Sequence, residues 1–138
     1  MKRTALLVSM TLAVGITVGV IGTRVLTAQQ QAFKRTVLLR TDLEGLPGKE
    51  GTMFLAEYEP GARSGKHYHP GHEFAYVLEG SIIVETEGQA PVTFGPGQVI
   101  HNLLNRVHVA KNGSMTEPVK LVQFIISKKG QPAVVPVK

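Results

Sequence analysis

Residues 61–80 read Gly-Ala-Arg-Ser-Gly-Lys-His-Tyr-His-Pro-Gly-His-Glu-Phe-Ala-Tyr-Val-Leu-Glu-Gly, and three of them, His67, His69 and Glu73, have the chemistry of metal ligands. In a strand, successive side chains alternate faces, so His67 and His69 point one way and Tyr68 the other. At a rise of about 3.3 Å per residue the two imidazoles stand about 7 Å apart along the backbone, close enough to converge on one ion. Pro70-Gly71 then bends the chain. The bend lets Glu73, at the start of the next apolar run, turn an oxygen toward the same point. Neutral imidazole plus carboxylate is a mixed nitrogen and oxygen set that suits Fe, Mn, Ni, Cu or Zn better than Ca or Mg. A carboxylate whose bond to an ion loosens is also a general base, which makes Glu73 the candidate catalytic residue. Cysteine is absent, which excludes thiolate ligands, disulfides and a Cys nucleophile.

The spacing Gly61-x5-His67-x-His69-x3-Glu73-x6-Gly80 resembles the first motif of the cupin superfamily, with every position filled. The second motif of that family reads Gly-x5-Pro-x-Gly-x2-His-x3-Asn, and Gly97-x5-Leu103-x-Asn105-x2-His108-x3-Asn112 keeps its spacing. Leu103 and Asn105 stand where the family has Pro and Gly. Asn is the commonest non-Gly residue in left-handed backbone, so the second exchange is mild. The resemblance makes His108 the fourth ligand of a three-His, one-Glu site. His101 is its rival, with Asn105 four residues on and Pro96 five before, but its frame puts Ala90 and Gln98 where glycines belong. If His101 is no ligand, it lines the barrel or lies on the surface. His72 points away from Glu73 and reads as a surface loop histidine. Tyr68 and Tyr76 read as sheet-packing aromatics, and Arg63 and Lys66 as part of a solvated face.

The resemblance covers roughly residues 40–127. It implies a single-domain double-stranded β-helix, or jelly roll, often a homodimer, that holds one divalent transition metal and takes a small-molecule ligand. Four protein ligands on an ion that accepts five or six leave room for substrate or O₂, with the metal as Lewis acid or redox centre. Quercetin-type dioxygenases share the three-His, one-Glu set, so an oxygenase is the leading activity that the resemblance implies. Cupins also include isomerases, decarboxylases, sugar-binding and sensor domains, so fold and ligand set do not fix the reaction. The alternative is a non-catalytic domain that holds a metal or small ligand. A wide apolar pocket beside the metal would favour the enzyme. A metal-free scaffold is the poorest reading, because three imidazoles and a carboxylate buried without partners would cost several kcal/mol.

The elements that must position these residues are strands. Thr36–Arg40 is a short run, and Asp42–Gly51, with Gly45, Pro47, Gly48 and Gly51, is a turn-rich loop. Thr52–Tyr58 alternates, with Met53, Leu55 and Glu57 on one face and Phe54, Ala56 and Tyr58 on the other. Arg63–His69 is the ligand strand. Phe74–Leu78, Ser81–Thr86, Pro91–Phe94, Val99–Leu104, Val107–Ala110 and Val119–Ser127 follow, with a C-terminal tail over 128–138. Many short strands parted by Gly/Pro turns, with no long 3.6-period segment after residue 28, indicate an all-β sandwich or barrel.

Residues 1–28 stand apart. Lys2 and Arg3 precede an uncharged, mostly apolar stretch over 4–23, and Thr27-Ala28 offers small residues for cleavage. Arg24 and the bulk of Leu26 count against simple cleavage, and the stretch approaches the ~20 residues that span a bilayer. A signal peptide and a retained signal anchor both predict export of the domain, with membrane contact only through this segment. Residues 29–39 read as a polar connector and first strand. Three of the 15 basic residues, Lys2, Arg3 and Arg24, lie in the leader, which holds no acid, so the remainder carries 12 basic against 10 acidic residues. No basic stripe with interleaved aromatics is present, which argues against a nucleic-acid partner.

Overall fold

The computed structural model describes residues 33–138. The leader expected over residues 1–28, and the connector as far as residue 32, lie outside the described residues. Within them the chain forms strands only. These are β1 (Phe33–Asp42), β2 (Lys49–Tyr58), β3 (His67–Tyr68), β4 (His72–Glu79), β5 (Ile82–Thr86), β6 (Val92–Phe94), β7 (Val99–Asn102), β8 (His108–Asn112), β9 (Val119–Lys128) and β10 (Val135–Pro136).

Alternation along each strand decides what faces inward. On β2, Phe54, Ala56 and Tyr58 are buried while Met53, Leu55 and Glu57 are half-exposed, the two faces expected from the sequence. On β9 the same alternation runs through ten residues and buries Val119, Leu121, Gln123, Ile125 and Ser127. Two five-stranded antiparallel sheets result, ordered β1-β2-β9-β4-β7 and β10-β3-β8-β5-β6. Their inner faces meet in a core built around Ala56, Tyr58, Val77, Ile82, Val119 and Leu121. This is the double-stranded β-helix expected from the sequence.

Several bounds differ from the pattern-based expectation. β1 extends over Phe33–Asp42 rather than 36–40, because β2 pairs with it from Phe33 to Asp42, interrupted only by a bulge at Leu38. The loop shrinks accordingly to residues 43–48. The ligand strand expected over 63–69 is regular only at His67–Tyr68, with one isolated bridge from Arg63 to Lys111. Gly65 and Pro70 interrupt the ladder on either side. β7 stops at Asn102, because the chain turns through Asn105 at φ 59°. Asn105 N–H donates to the His69 carbonyl at 2.9 Å, tying that turn to the ligand strand. The expected tail over 128–138 contributes a strand: Val135 and Pro136 pair with Tyr68 and His67.

Gly80 needs its glycine for two reasons. Its φ is +73°, and a Cβ there would sit 2.2 Å from the Pro118 carbonyl oxygen. The β4–β5 turn closes only without a side chain.

Candidate metal centre

One sheet, β10-β3-β8-β5-β6, brings His67, His69 and His108 together. His67 and His108 are register partners across β3 and β8. All three rings are buried, and their centroids lie 4.4–5.2 Å apart. One ligand atom from each falls within 4.8 Å of the others. Each ring hydrogen-bonds a carbonyl oxygen through Nδ1: His67 to Gly65 at 2.7 Å, His69 to Ala133 at 2.7 Å and His108 to Arg106 at 2.9 Å. A carbonyl only accepts, so Nδ1 carries the proton in every ring and a neutral ring keeps a bare lone pair on Nε2.

Glu73, also buried, brings its carboxylate from the other sheet against two of the three rings. Its Oε2 lies 3.0 Å from His69 Nε2 and 3.7 Å from His108 Nε2. The 3.0 Å contact lacks hydrogen-bond geometry. Among the described residues, His69 Nε2 is one of two buried side-chain polar atoms without a hydrogen-bond partner, the other being the Tyr58 hydroxyl. A bare nitrogen beside a carboxylate oxygen sets lone pair against lone pair, and a cation between them removes the conflict. Ligand atoms each about 2.0–2.1 Å from one ion stand about 3.0–3.4 Å apart, which the His69–Glu73 separation matches. Three buried, carbonyl-held imidazoles and a carboxylate therefore fit a transition metal, with carbonyls orienting the rings as outer partners do in metal sites.

The electrostatics follow from burial. His67 is pushed down to about 4, first by desolvation and then by the neighbouring His108 and His69 rings. His108 is lowered as well, chiefly by burial. Burial alone would raise Glu73, but the adjacent His69 ring, the Asn102 amide and His108 outweigh it and hold the carboxyl at about 2. At neutral pH His67 and His108 are thus unprotonated and Glu73 is ionised, the forms that ligate metal.

Two residues that the sequence reading passed over orient Glu73. Asn102 Nδ2 donates to its Oε2 at 2.7 Å, and Gln123 Nε2 donates to its Oε1 at 2.5 Å. Asn102 is the register partner of Glu73 on β7, and Gln123 faces inward on β9. A polar residue at an inward position of an apolar strand was the available signal for Gln123.

His101 stays outside the cluster. It is exposed, stacks on Phe74 at 4.5 Å with rings 3° from parallel, and lies 3.3 Å from His72 Nδ1 through its Nε2. His72 is exposed, as expected. Tyr68 is half-buried beside Val135, whereas Tyr76 is exposed on the outer sheet face. Lys66 pairs with Glu87 at the surface, and Arg63 is exposed. Asn112 staples loops: its Nδ2 donates to the Glu59 and Glu117 carbonyls at 3.0 and 2.7 Å.

A half-open cleft of about 110 Å³ lies one residue away from the candidate ligands, lined by Val84, Thr86, Gln89, Ala90, Val92, Phe94, Ile100, His101 and Asn102. It meets the centre through Asn102, which touches Glu73, and Thr86, the register partner of His108. None of the lining side chains is an acid, lysine or arginine.

A double-stranded β-helix with an inward-facing cluster of three histidines defines a class of metal-site barrels. The Cupin domain family matches residues 54–125, more than half of the chain, and the chain belongs to it. Among curated proteins, a polyketide synthase, CurC, of Streptomyces cyaneus is 48% identical over 40 residues, and the match spans 28% of this chain and 26% of that protein. The DMSP lyase DddQ of Ruegeria pomeroyi DSS-3 superposes with a TM-score of 0.62 at 20% identity, over 77% of this chain and 52% of that one. The polyketide cyclase RemF of Streptomyces resistomycificus gives 0.60 at 19% identity, over 78% and 72%. The chain thus spans about a quarter of the curated relative and about half of the lyase. These solved structures share its fold.

Proposed function

We propose that this chain is a metal-dependent cupin enzyme acting on a small, uncharged organic molecule. The observation that carries the reading is the convergence of three imidazole Nε2 atoms and one ionised carboxylate close to a half-open cleft. His67, His69, His108 and Glu73 would hold the ion. A bound transition metal would supply a Lewis acid or a redox centre. The chain itself does the rest. The carbonyls of Gly65, Ala133 and Arg106 fix the three rings, Asn102 and Gln123 aim the carboxylate, and burial excludes bulk water. Glu73, whose carboxylate is ionised, would be the group to accept a proton from substrate at a carboxylate oxygen.

The cleft bears on the substrate. Its volume is below the ~150 Å³ of a void that takes benzene, so it receives one small group while the rest of the molecule reaches outward. A lining without formal charge disfavours anions and cations, whose burial unpaired is costly. Oxygenase turnover is the first chemistry to test, from the three-His, one-Glu set. A non-redox, Lewis-acid reaction is the second, favoured by the neutral lining and by the fold shared with a polyketide cyclase. Oxygen uptake by metal-loaded protein over flavonols and diketones, with mass spectrometry of the products, separates the two. Oxygen uptake supports the first reading, and isomeric or cleaved product without uptake supports the second. Silence in both, with metal bound, would overturn the enzyme reading in favour of a non-catalytic binding domain.

The leader pattern supports export across the cytoplasmic membrane. Fractionation of cells carrying a C-terminally tagged full chain tests it, and recovery in the cytoplasm would refute it.

A further inference from the structure

β1 reaches the metal centre without contributing a ligand. Arg35 Nε donates to Gln123 Oε1 at 3.0 Å, and Gln123 Nε2 donates to Glu73 Oε1 at 2.5 Å. The three residues sit on β1, β9 and β4, with β2 between the first two strands. Two ladder spacings amount to about 9–10 Å, a gap that only long side chains close. The β2 residue in register with Arg35 is Ala56, buried and small enough to let an arginine cross. The guanidinium carbon lies 5.3 Å from the Phe33 ring centroid and 5.5 Å from that of Phe54, so aromatic faces hold the cation along its path.

An amide side chain can present oxygen or nitrogen to either neighbour, and arginine removes the choice because it only donates. Arg35 takes the Gln123 oxygen and leaves the amide nitrogen for Glu73. Asn102 holds the other carboxylate oxygen. With one donor on each oxygen, the carboxylate plane is fixed and Oε2 stays turned to His69 and His108. Arg35 lies outside residues 54–125, which the family match covers.

We propose that Arg35 is a positioning residue of the metal centre, acting through the amide of Gln123 to aim Glu73 at the ion. The proposal rests on reading the centre as a metal site. It is tested on the purified protein with Co²⁺ alone, by calorimetry and by the visible absorption that reports ligand geometry. Gln123→Met is expected to weaken Co²⁺ binding about 10- to 100-fold and to alter the spectrum. Arg35→Met, one residue further out, is expected to weaken it about 3- to 10-fold, with partial rescue in Arg35→Lys. Because both act on one carboxylate, the double variant should bind no more weakly than Gln123→Met. Arg40→Met, on the same strand, should bind as the wild type does. Melting of the metal-free variants checks that each is folded, and Arg35→Gln replaces the Met variant if that one is not. Wild-type affinity and spectrum in a folded Arg35 variant, or full additivity in the double variant, would overturn the proposal alone. Failure of the wild type to bind Co²⁺ would overturn both it and the metal reading.

Discussion

At the scale of single residues, the centre is defined by which nitrogen of each ring is free. The carbonyls on Nδ1 settle this for His67, His69 and His108, whereas the ring of His101 spends itself on Phe74 and His72. His67→Ala and His108→Ala should therefore each lower transition-metal affinity by about 100-fold or more, exceeding the loss from an outer partner. His101→Ala should leave it unchanged. Metal content by mass spectrometry after gel filtration decides, and retention in the His108 variant with loss in the His101 variant would move the fourth ligand. Acid should act on the metal-free protein through the same residues. His67 is held at about 4 against 6.5 when exposed. Between those values protons bind the unfolded chain and not the folded one. Stability that is complete above pH 6.5 thus falls as the pH drops to 4, by on the order of 3 kcal/mol. Glu73, held at about 2 against 4.5, extends the decline from pH 4.5 downward, because there too the unfolded chain takes up the proton first. Urea unfolding from pH 8 to pH 4 measures this, and a flat profile would count against the buried neutral imidazole.

At the scale of elements, the ligand motifs and their glycines were legible because they obey local rules. Asn105 takes the left-handed turn that its position in the second motif requires, at φ 59°, and the faces of β2 follow from simple alternation. What local rules do not carry is the pairing of distant segments. The carbonyl under His69 comes from Ala133, 64 residues away, at the entry to a strand that the sequence shows only as a short apolar tail. Asn102 and Gln123 look like ordinary strand residues until β4 is laid between β7 and β9. The last element is therefore worth testing as part of the centre. Truncation after Gln131 removes β10 and frees His69 Nδ1 from its acceptor. Metal affinity should fall about 10- to 100-fold, while the core strands β2, β4 and β9 keep the protein folded by circular dichroism. Unchanged affinity would mean that β10 merely covers β3. Asn105→Gly should be tolerated, but Asn105→Val should cost about 1–2 kcal/mol in urea unfolding, because a β-branched residue resists that backbone conformation.

At the scale of the whole molecule, the metal centre faces inward and the outer face of the sheet that carries Glu73 is left apolar. Phe74, Tyr76 and Leu78 of β4 and Val99 of β7 are 40–61% exposed, and half-buried Met53, Leu55, Val122, Phe124 and Ile126 continue the patch across β2 and β9. Register joins them in rows: Met53, Phe124 and Phe74 in one, and Leu55, Val122, Tyr76 and Val99 in the next. Monomers rarely expose more than roughly 300–600 Å² in one apolar patch. A stable interface buries roughly 800 Å² per partner, for which this face supplies the apolar centre. A second copy is the occupant we expect, because an apolar face on β2, β9, β4 and β7 can meet itself across a two-fold axis, residue for residue. Gel filtration with light scattering at micromolar concentration should then give twice the chain mass. Tyr76→Glu, which sets two like charges near that axis, should give a monomer. The same variant should bind metal as tightly as the wild type, since Tyr76 points away from Glu73 on the alternating strand. A wild-type chain that stays monomeric at high concentration would leave this face to a different partner.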